Sequence, residues 1–511
     1  MTRVLSAAIM GLDARIIEVE VDLTSGLHIF NIVGLADKAV EEAKERVSAA
    51  IKNSELVPPR KKNQRLIVNL APADIKKAGP AYDLPIALGY LLASKQISFS
   101  PENKLFVGEL GLDGKVRSVN GILSSALLAK RKGIKIFFVP KDNAKEAALV
   151  KNLEVIPIES LAQAIAHLEN RIIIKPQPAT RIEEILGKNL YSINMAYIKG
   201  QETAKRAIEI AASGAHNLLM IGSPGSGKSL LAKAIPSILP KMTRDEILEV
   251  TKIHSIAGKL HYKLPIITQR PFRAPHHTAS EASMIGGGAF SKPGEISLTH
   301  RGVLFLDEFP EFHRNLLESL RQPLEDGLVS ISRAKASFVY PAKFILVAAM
   351  NPCPCGYLNH PTRACTCSAI QIRRYRQKIS GPLLDRIDLH VEVPPLKYEK
   401  LASEKVAEDS AAIRKRVERA RKIQKRRFEM AKLSFVTNSE MNIPEIKKYC
   451  QIDQFGKILL RNAVDKMNLS ARGYHRVLKL ARTIADLAEE EKISRNHIAE
   501  ALQYRPKQEE Y

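Results

Sequence analysis

The sequence predicts an α/β protein of several domains, with a mixed α+β block before the α/β core and a helical block behind it. Three observations predict this. The chain has 511 residues, where one domain usually takes roughly 100–200. Short hydrophobic runs alternate with helical patterns along most of it, and one glycine-rich turn joins a strand-like run to a helix-like one. With 45% apolar and 26% charged residues, the composition is ordinary globular and excludes a disordered tail, a collagen or a coiled-coil rod. No run reaches the ~18 apolar residues of a membrane span, Phe344 to Met350 being typical. The apolar Leu5 to Leu12 is followed at once by Asp13 and Arg15, so no secretory signal is expected. The expectation is a cytoplasmic chain with no membrane partner.

Residues 1–170 form the first block. Ile16 to Val21, Leu66 to Asn69 and Ile136 to Val139 read as strands, Ala36 to Ile51 and Leu84 to Leu92 as helices. Residues 171–181, with Pro176 and Pro178, read as a linker. The core covers 182–396, and after Pro394-Pro395 the block 397–511 is helical. The net charge of +24 is uneven: +4 over 1–170, +12 over 171–400 and +8 over 401–511. From Ala411 to Lys432 there are ten Lys or Arg and two Glu. Ile413, Val417, Ala420 and Ile423 recur there at helical spacing. The basic remainder of that helix is either a solvated face or a surface for a phosphate backbone.

His216 to Ile221 is strand-like and leads into Gly222, Ser223, Pro224, Gly225, Ser226, Gly227, Lys228 and Ser229, followed by helical Leu230 to Ile235. This is G-x-x-x-x-G-K-[ST] in its strand–loop–helix context. Glycines let successive amides turn inward around phosphates, at a helix N-terminus whose dipole favours anions. Lys228 is placed to reach the β and γ oxygens, and Ser229 to ligate Mg²⁺. ATP and Mg²⁺ are the expected cofactors.

Gly302 to Leu306 is an apolar strand ending in Asp307 and Glu308. In P-loop ATPases the first such carboxylate holds the Mg²⁺ shell and the second polarises the attacking water; an acidic strand end beside a helix cap is the plain alternative. The strand Phe344 to Met350 ends in Asn351, placed like the water-sensing side chain of AAA+ ATPases. The core therefore resembles an AAA+ module with a helical lid. Within that resemblance, Leu383-Leu384-Asp385-Arg386-Ile387-Asp388-Leu389 looks like the segment that presents an arginine finger to an adjacent subunit. Arg386 is then a catalytic residue in trans, or else it pairs with Asp385 or Asp388. Ser470-Ala471-Arg472-Gly473-Tyr474-His475-Arg476 resembles the sensor-2 turn, which implies Arg472, with Arg476 in reserve. A finger in trans implies a ring, a homo-hexamer by family analogy.

Four of the five cysteines, Cys353, Cys355, Cys365 and Cys367, lie within fifteen residues. Clustered thiols suit a tetrahedral structural Zn²⁺ with His360 as a possible substitute ligand; free thiols or a redox pair are the alternatives. Beyond them Arg373, Arg374 and Arg376 lie in a stretch without an acid, either a nucleic-acid surface or a solvated helix. A long insertion carries adjacent His276 and His277, to which no site is assigned, then a glycine loop with Phe290 and Lys292. Val329 to Val339 alternates and carries Arg333 and Lys335. Related motors grip DNA with loops so placed; each may equally be a structural hairpin.

The P-loop, the Asn-Pro-Cys-Pro-Cys-Gly run from Asn351 and the Ser-Ala-Arg-Gly-Tyr-His run from Ser470 together resemble the magnesium-chelatase-like ComM (YifB) family over nearly the whole chain. That resemblance implies a hexameric DNA helicase that drives branch migration of recombination intermediates in natural transformation. Its partners would be single-stranded and branched DNA, with other recombination proteins possible. The first block resembles the Lon-protease/ribosomal-S5 fold. Ala81 and Leu123 stand where Lon proteases carry a Ser nucleophile and a Lys base; neither can do that chemistry. The alternatives are the ATPase motor of a magnesium chelatase in tetrapyrrole synthesis, an ATP-dependent protease and a DNA-binding adaptor.

Overall fold

The computed structural model describes residues 1–182, 193–260, 264–288, 292–333, 336–396 and 407–506. Phe290 and Lys335 lie outside these residues, and Arg333 is placed as backbone alone.

The first block is a mixed seven-stranded sheet. Its strands run in the order Ile29–Val33, Gln64–Ala71, Asp13–Ser25, Thr2–Met10, Lys104–Phe106, Ile136–Pro140 and Glu154–Ile158. The apolar stretch near the N-terminus is thus a strand, paired antiparallel with Asp13–Ser25 from Thr2↔Val21 to Met10↔Asp13. Helix Asp83–Ala93 lies so close on the sheet that a Cβ on Gly89 would meet Val21 at 2.8 Å. The helix expected from Ala36 to Ile51 starts at Lys38, because Asp37 caps it by accepting from the Val40 amide at 2.9 Å, and it runs as Lys38–Glu41 and Ala43–Asn53. Leu123 is fully buried in the sheet's second core, whereas Ala81 sits in the turn Pro80–Tyr82. The stretch 171–181 carries Thr180, whose hydroxyl and amide donate to the carbonyls of Lys145 and Ala148. It is tied to the first block.

The core is a five-stranded parallel sheet in the order Phe272–Arg273, Val303–Leu306, Ile345–Met350, Leu218–Ile221, Leu389–Glu392. Its strands are short and almost wholly buried, as two-sided coverage by helices requires. Behind it stand helices Ser410–Met430, Gln454–Met467, Ala471–Leu487 and Arg495–Gln503. In the basic helix the buried stripe is Ile413, Val417, Ala420, Gln424 and Phe428. Ile423 is half-buried beside it, since a 3.6-residue period carries the stripe to 424 and 428. Much of this helix's charge is structural. Arg414 and Arg421 donate to the Ser237 and Ala212 carbonyls, Arg416 bonds Glu209, and Arg427 bonds Asp486. No helix of the described residues is long and apolar enough to cross a membrane.

Helix Arg244–Ile256 of the core closes the second face of the first block's sheet, with Ile247 and Val250 in the same hydrophobic cluster as Leu123 and Phe137. At this junction Glu146 accepts from the Leu123 amide at 2.8 Å and from the Ser255 hydroxyl at 2.5 Å. Burial pushes its carboxyl up to about 7, against the pull of Ser255, Leu123 and Asn143. An unfolded carboxyl titrates near 4.5, so between these values the folded chain holds the extra proton. The contribution is complete below the unfolded pKa and is lost as pH rises through about 7, on the order of 3 kcal/mol. Glu146→Gln should therefore lose part of the fall in Tm between pH 5.5 and 7.5 that the native chain shows in thermal melts. Identical pH slopes would refute the assignment.

Candidate nucleotide site

The phosphate loop runs from the C-terminal end of strand Leu218–Ile221 to the N-terminus of helix Lys228–Ile238. Gly222 is tight: a Cβ there would stand 2.3 Å from the Val393 carbonyl oxygen. Gly225 and Gly227 take φ of +77° and +95°, which turn the loop amides inward. Lys228 donates to the carbonyls of Gly222 at 2.6 Å and Ser223 at 3.0 Å, and to Asn351 Oδ1 at 3.3 Å. Burial lowers its pKa. The Ser229 hydroxyl donates to Asp307 Oδ2 at 2.7 Å. The loop, Asp307 and Asn351 are therefore brought together from three adjacent strands. An alcohol and a carboxylate in contact are an oxygen donor pair that fits Mg²⁺. Glu308 follows in the left-handed region with φ of 51°. Its carboxylate is 58% exposed and lies 3.1 Å from His277 Nδ1.

The arginines lie elsewhere. The Asn217 side chain donates to the Arg386 carbonyl at 3.1 Å, so Arg386 is level with the residue before strand Leu218–Ile221. The four residues of that strand lie between this level and Gly222, five residue steps or about 16 Å. Arg386 is buried, donates to the Pro382 carbonyl at 2.5 Å and is ion-paired to Glu325. The partner is thus neither Asp385 nor Asp388, the pair read from the sequence. Asp388 is taken by Arg476 at 2.5 Å, the Asn217 amide at 3.1 Å and His216 at 3.4 Å. Arg472, 63% exposed, approaches the same Glu325 at 3.6 Å. Arg386 holds the Glu325 carboxyl below its ordinary range, helped by Arg472 and Arg476. Arg386 and Arg472 thus share one carboxylate at the sheet end opposite their own phosphate loop.

Cys353, Cys355, Cys365 and Cys367 bring their sulfurs within 4.8 Å of one another. The Sγ–Sγ distances from Cys353 to Cys355 and Cys365 are 3.4 and 3.7 Å, and Cys355 to Cys365 is 3.6 Å. These are too long for disulfides and near the ~3.8 Å edge of a zinc–thiolate tetrahedron with 2.3 Å bonds. Backbone amides of Tyr357 and Thr366 lower the Cys355 thiol to about 5. The cluster could hold a metal ion. His360 is outside it; its Nδ1 accepts from the amides of Thr362 and Arg363 at 3.2 and 3.1 Å.

Three family models match in succession: subunit ChlI of Mg-chelatase over 19–143, magnesium chelatase subunit ChlI over 194–401, and the ChlI C-terminal part over 407–505. The competence protein ComM of Haemophilus influenzae is 43% identical over 98% of this chain and 97% of its own length. The uncharacterized protein YifB of Escherichia coli is 42% identical over 98% of this chain and 96% of its own. This chain belongs to the ComM/YifB family. The magnesium-chelatase subunit ChlI of Euglena gracilis is a distant relative, 22% identical over 35% of this chain and 51% of its own. The magnesium-chelatase-like AAA+ domain implies an ATPase.

In this ComM/YifB-family chain the expected hairpins are present as backbone. Gly286–Gly287 pairs with Lys292–Pro293, and Leu328–Arg333 with Ala336–Pro341. They touch, since a Cβ on Gly286 would meet Ile331 at 2.8 Å. The first block reaches the second hairpin through Gly11, whose added Cβ would meet Phe338 at 3.0 Å. Lys292, Arg373 and Arg374 are exposed, and Arg376 is half-buried. Several neighbours of the site were not foreseen from sequence. His277 meets Glu308, Glu325 joins two arginines, and Gln201 braces the phosphate loop by donating to the Ser226 and Pro394 carbonyls at 3.2 and 2.6 Å. A single glutamine or glutamate carries no spacing that marks such a role.

Proposed function

We propose that this chain is an ATP-dependent DNA helicase, a translocase that promotes branch migration of recombination intermediates during natural transformation. What carries the reading is an intact phosphate-loop constellation in a chain that matches a competence protein over nearly its full length. Loop amides from Gly222 to Gly227, at a helix N-terminus, bind the phosphates of ATP. Lys228 leaves the Gly222 and Ser223 carbonyls for the β and γ oxygens. Ser229 and Asp307 hold Mg²⁺, which when bound neutralises phosphate charge. Glu308 orients the attacking water and accepts its proton, and Asn351 senses the γ-phosphate. Because Arg386 and Arg472 stand far from their own loop, they serve the nucleotide of the next subunit in a homo-hexameric ring. The two hairpins, with Phe290, Lys292, Arg333 and Lys335, and the face of Arg373, Arg374 and Arg376 meet single-stranded or branched DNA. The four cysteines hold a structural Zn²⁺.

The test uses purified full-length chain on three-strand and four-way DNA substrates, with ATP or a non-hydrolysable analogue. Displacement is expected with ATP alone, and DNA affinity should fall steeply with salt as phosphate contacts release counterions. An ATPase indifferent to DNA, with no substrate displaced, would overturn the reading. Stimulation by porphyrin and chelatase subunits instead would favour a metal-insertion motor.

A further inference from the structure

The cysteine cluster and the phosphate loop are in contact. Cys353 and Cys355 follow the strand Ile345–Met350 that delivers Asn351, with only Asn351 and Pro352 between Met350 and Cys353. Their turn closes by a bond of 3.0 Å from the Gly356 amide to the Cys353 carbonyl. Gly356 is buried with φ of +84°, and a Cβ on it would stand 2.6 Å from the Pro224 ring and 3.7 Å from Asn351. Pro224 is the third residue of the phosphate loop. The turn carrying half the sulfurs is therefore one wall of the nucleotide site, touching it at Pro224 and beside Asn351.

The other half is anchored as well. Cys367 Sγ accepts from the Cys355 amide at 3.4 Å, and Ser368 then caps helix Ala369–Arg376. Tyr375 on that helix is buried in the same core cluster as Met350, the residue before Asn351. Between the two cysteine pairs, residues 356–364 form no helix or strand. Backbone pairing does not hold this loop closed; the four sulfurs do. Thiolates this close repel unless a cation lies among them, so a tetrahedral metal both permits the cluster and closes the loop.

We propose that zinc bound by Cys353, Cys355, Cys365 and Cys367 acts as a clamp on the nucleotide site, holding Gly356 against Pro224 and fixing Asn351, so that metal occupancy sets the affinity for ATP. The proposal rests on reading the loop as an ATP site and is independent of any activity on DNA. Only Gly fits at 356, because both its φ and the Pro224 contact reject a side chain.

The experiment measures zinc content of the full-length chain by elemental analysis and its affinity for Mg²⁺ and a ribose-labelled ATP analogue by fluorescence titration. Native chain should carry one zinc. Cys365→Ser should lose the metal and bind the analogue about tenfold more weakly. Gly356→Ala should keep the metal and show a similar loss, which separates the contact from any failure to fold around zinc. Native chain without zinc would overturn the proposal. So would a metal-free chain that binds the analogue as tightly as the loaded one, or a Gly356→Ala chain with native affinity. A native chain that gives these zinc and nucleotide results but migrates no DNA branch would count against the helicase reading alone.

Discussion

Lys228→Ala is expected to reduce ATP hydrolysis by at least about a hundredfold, the loss typical when one donor to a developing phosphate charge is removed. The ammonium is buried at the loop, bonded to Gly222, Ser223 and Asn351 and held there by no carboxylate within bonding distance among the described residues. It is therefore free to exchange loop carbonyls for phosphate oxygens. Its loss removes charge from the site where ATP enters, so binding should weaken together with turnover. Glu308→Gln should behave differently. Its carboxylate is largely exposed and, among the charged groups of the described residues, touches only His277, so the amide should preserve folding and ATP binding while hydrolysis stops. Titration of a labelled ATP analogue beside a phosphate-release assay checks both. Native hydrolysis by Lys228→Ala would remove the loop lysine from catalysis, and native hydrolysis by Glu308→Gln would remove that carboxylate.

Arg386→Ala should cost about a thousandfold in ATP turnover, as loss of an arginine acting on the transferred phosphate does. The geometry adds a stricter test. The Arg386 backbone is level with Asn217, at the far end of the strand from its own loop, and its guanidinium is held there by Glu325 and the Pro382 carbonyl. A chain carrying Arg386→Ala keeps its phosphate loop, and one carrying Lys228→Ala keeps its arginine. Mixed in equal amounts, two inactive proteins should recover activity, about a quarter of native if subunits assemble at random in a closed ring. Inactive mixtures, with native oligomer size and unchanged melting temperatures, would show that Arg386 acts only through its pair with Glu325.

The cysteine cluster and phosphate loop were legible for the same reason. Each is built by contiguous backbone, so residue type and spacing state the geometry directly. Strands such as Ile345–Met350 were equally plain, because a sheet covered on both faces needs unbroken apolar runs. The start of the helix near Asp37 was not, since one capping hydrogen bond places it at Lys38 inside a continuous helical pattern. Arg386 shows the limit most clearly. Its neighbours in sequence, Asp385 and Asp388, were the natural partners, yet its carboxylate comes from Glu325, 61 positions away.

By itself the sequence determined that this chain has a phosphate-loop motif, an Asp-Glu pair, an asparagine ending an apolar strand and four clustered thiols. It also determined that the basic surplus lies beyond the first block. Tertiary structure alone decided that Arg386 and Arg472 share Glu325 away from their own nucleotide site, and that His277 faces Glu308. It alone placed Gly356 on Pro224 and set Glu146 at the junction of the first block with helix Arg244–Ile256. The physical reason is range. Turn and helix preferences act over a few residues and are written in order along the chain. Contacts between distant segments depend on how whole elements pack, and a single charged or glycine residue carries no period that reveals its partner.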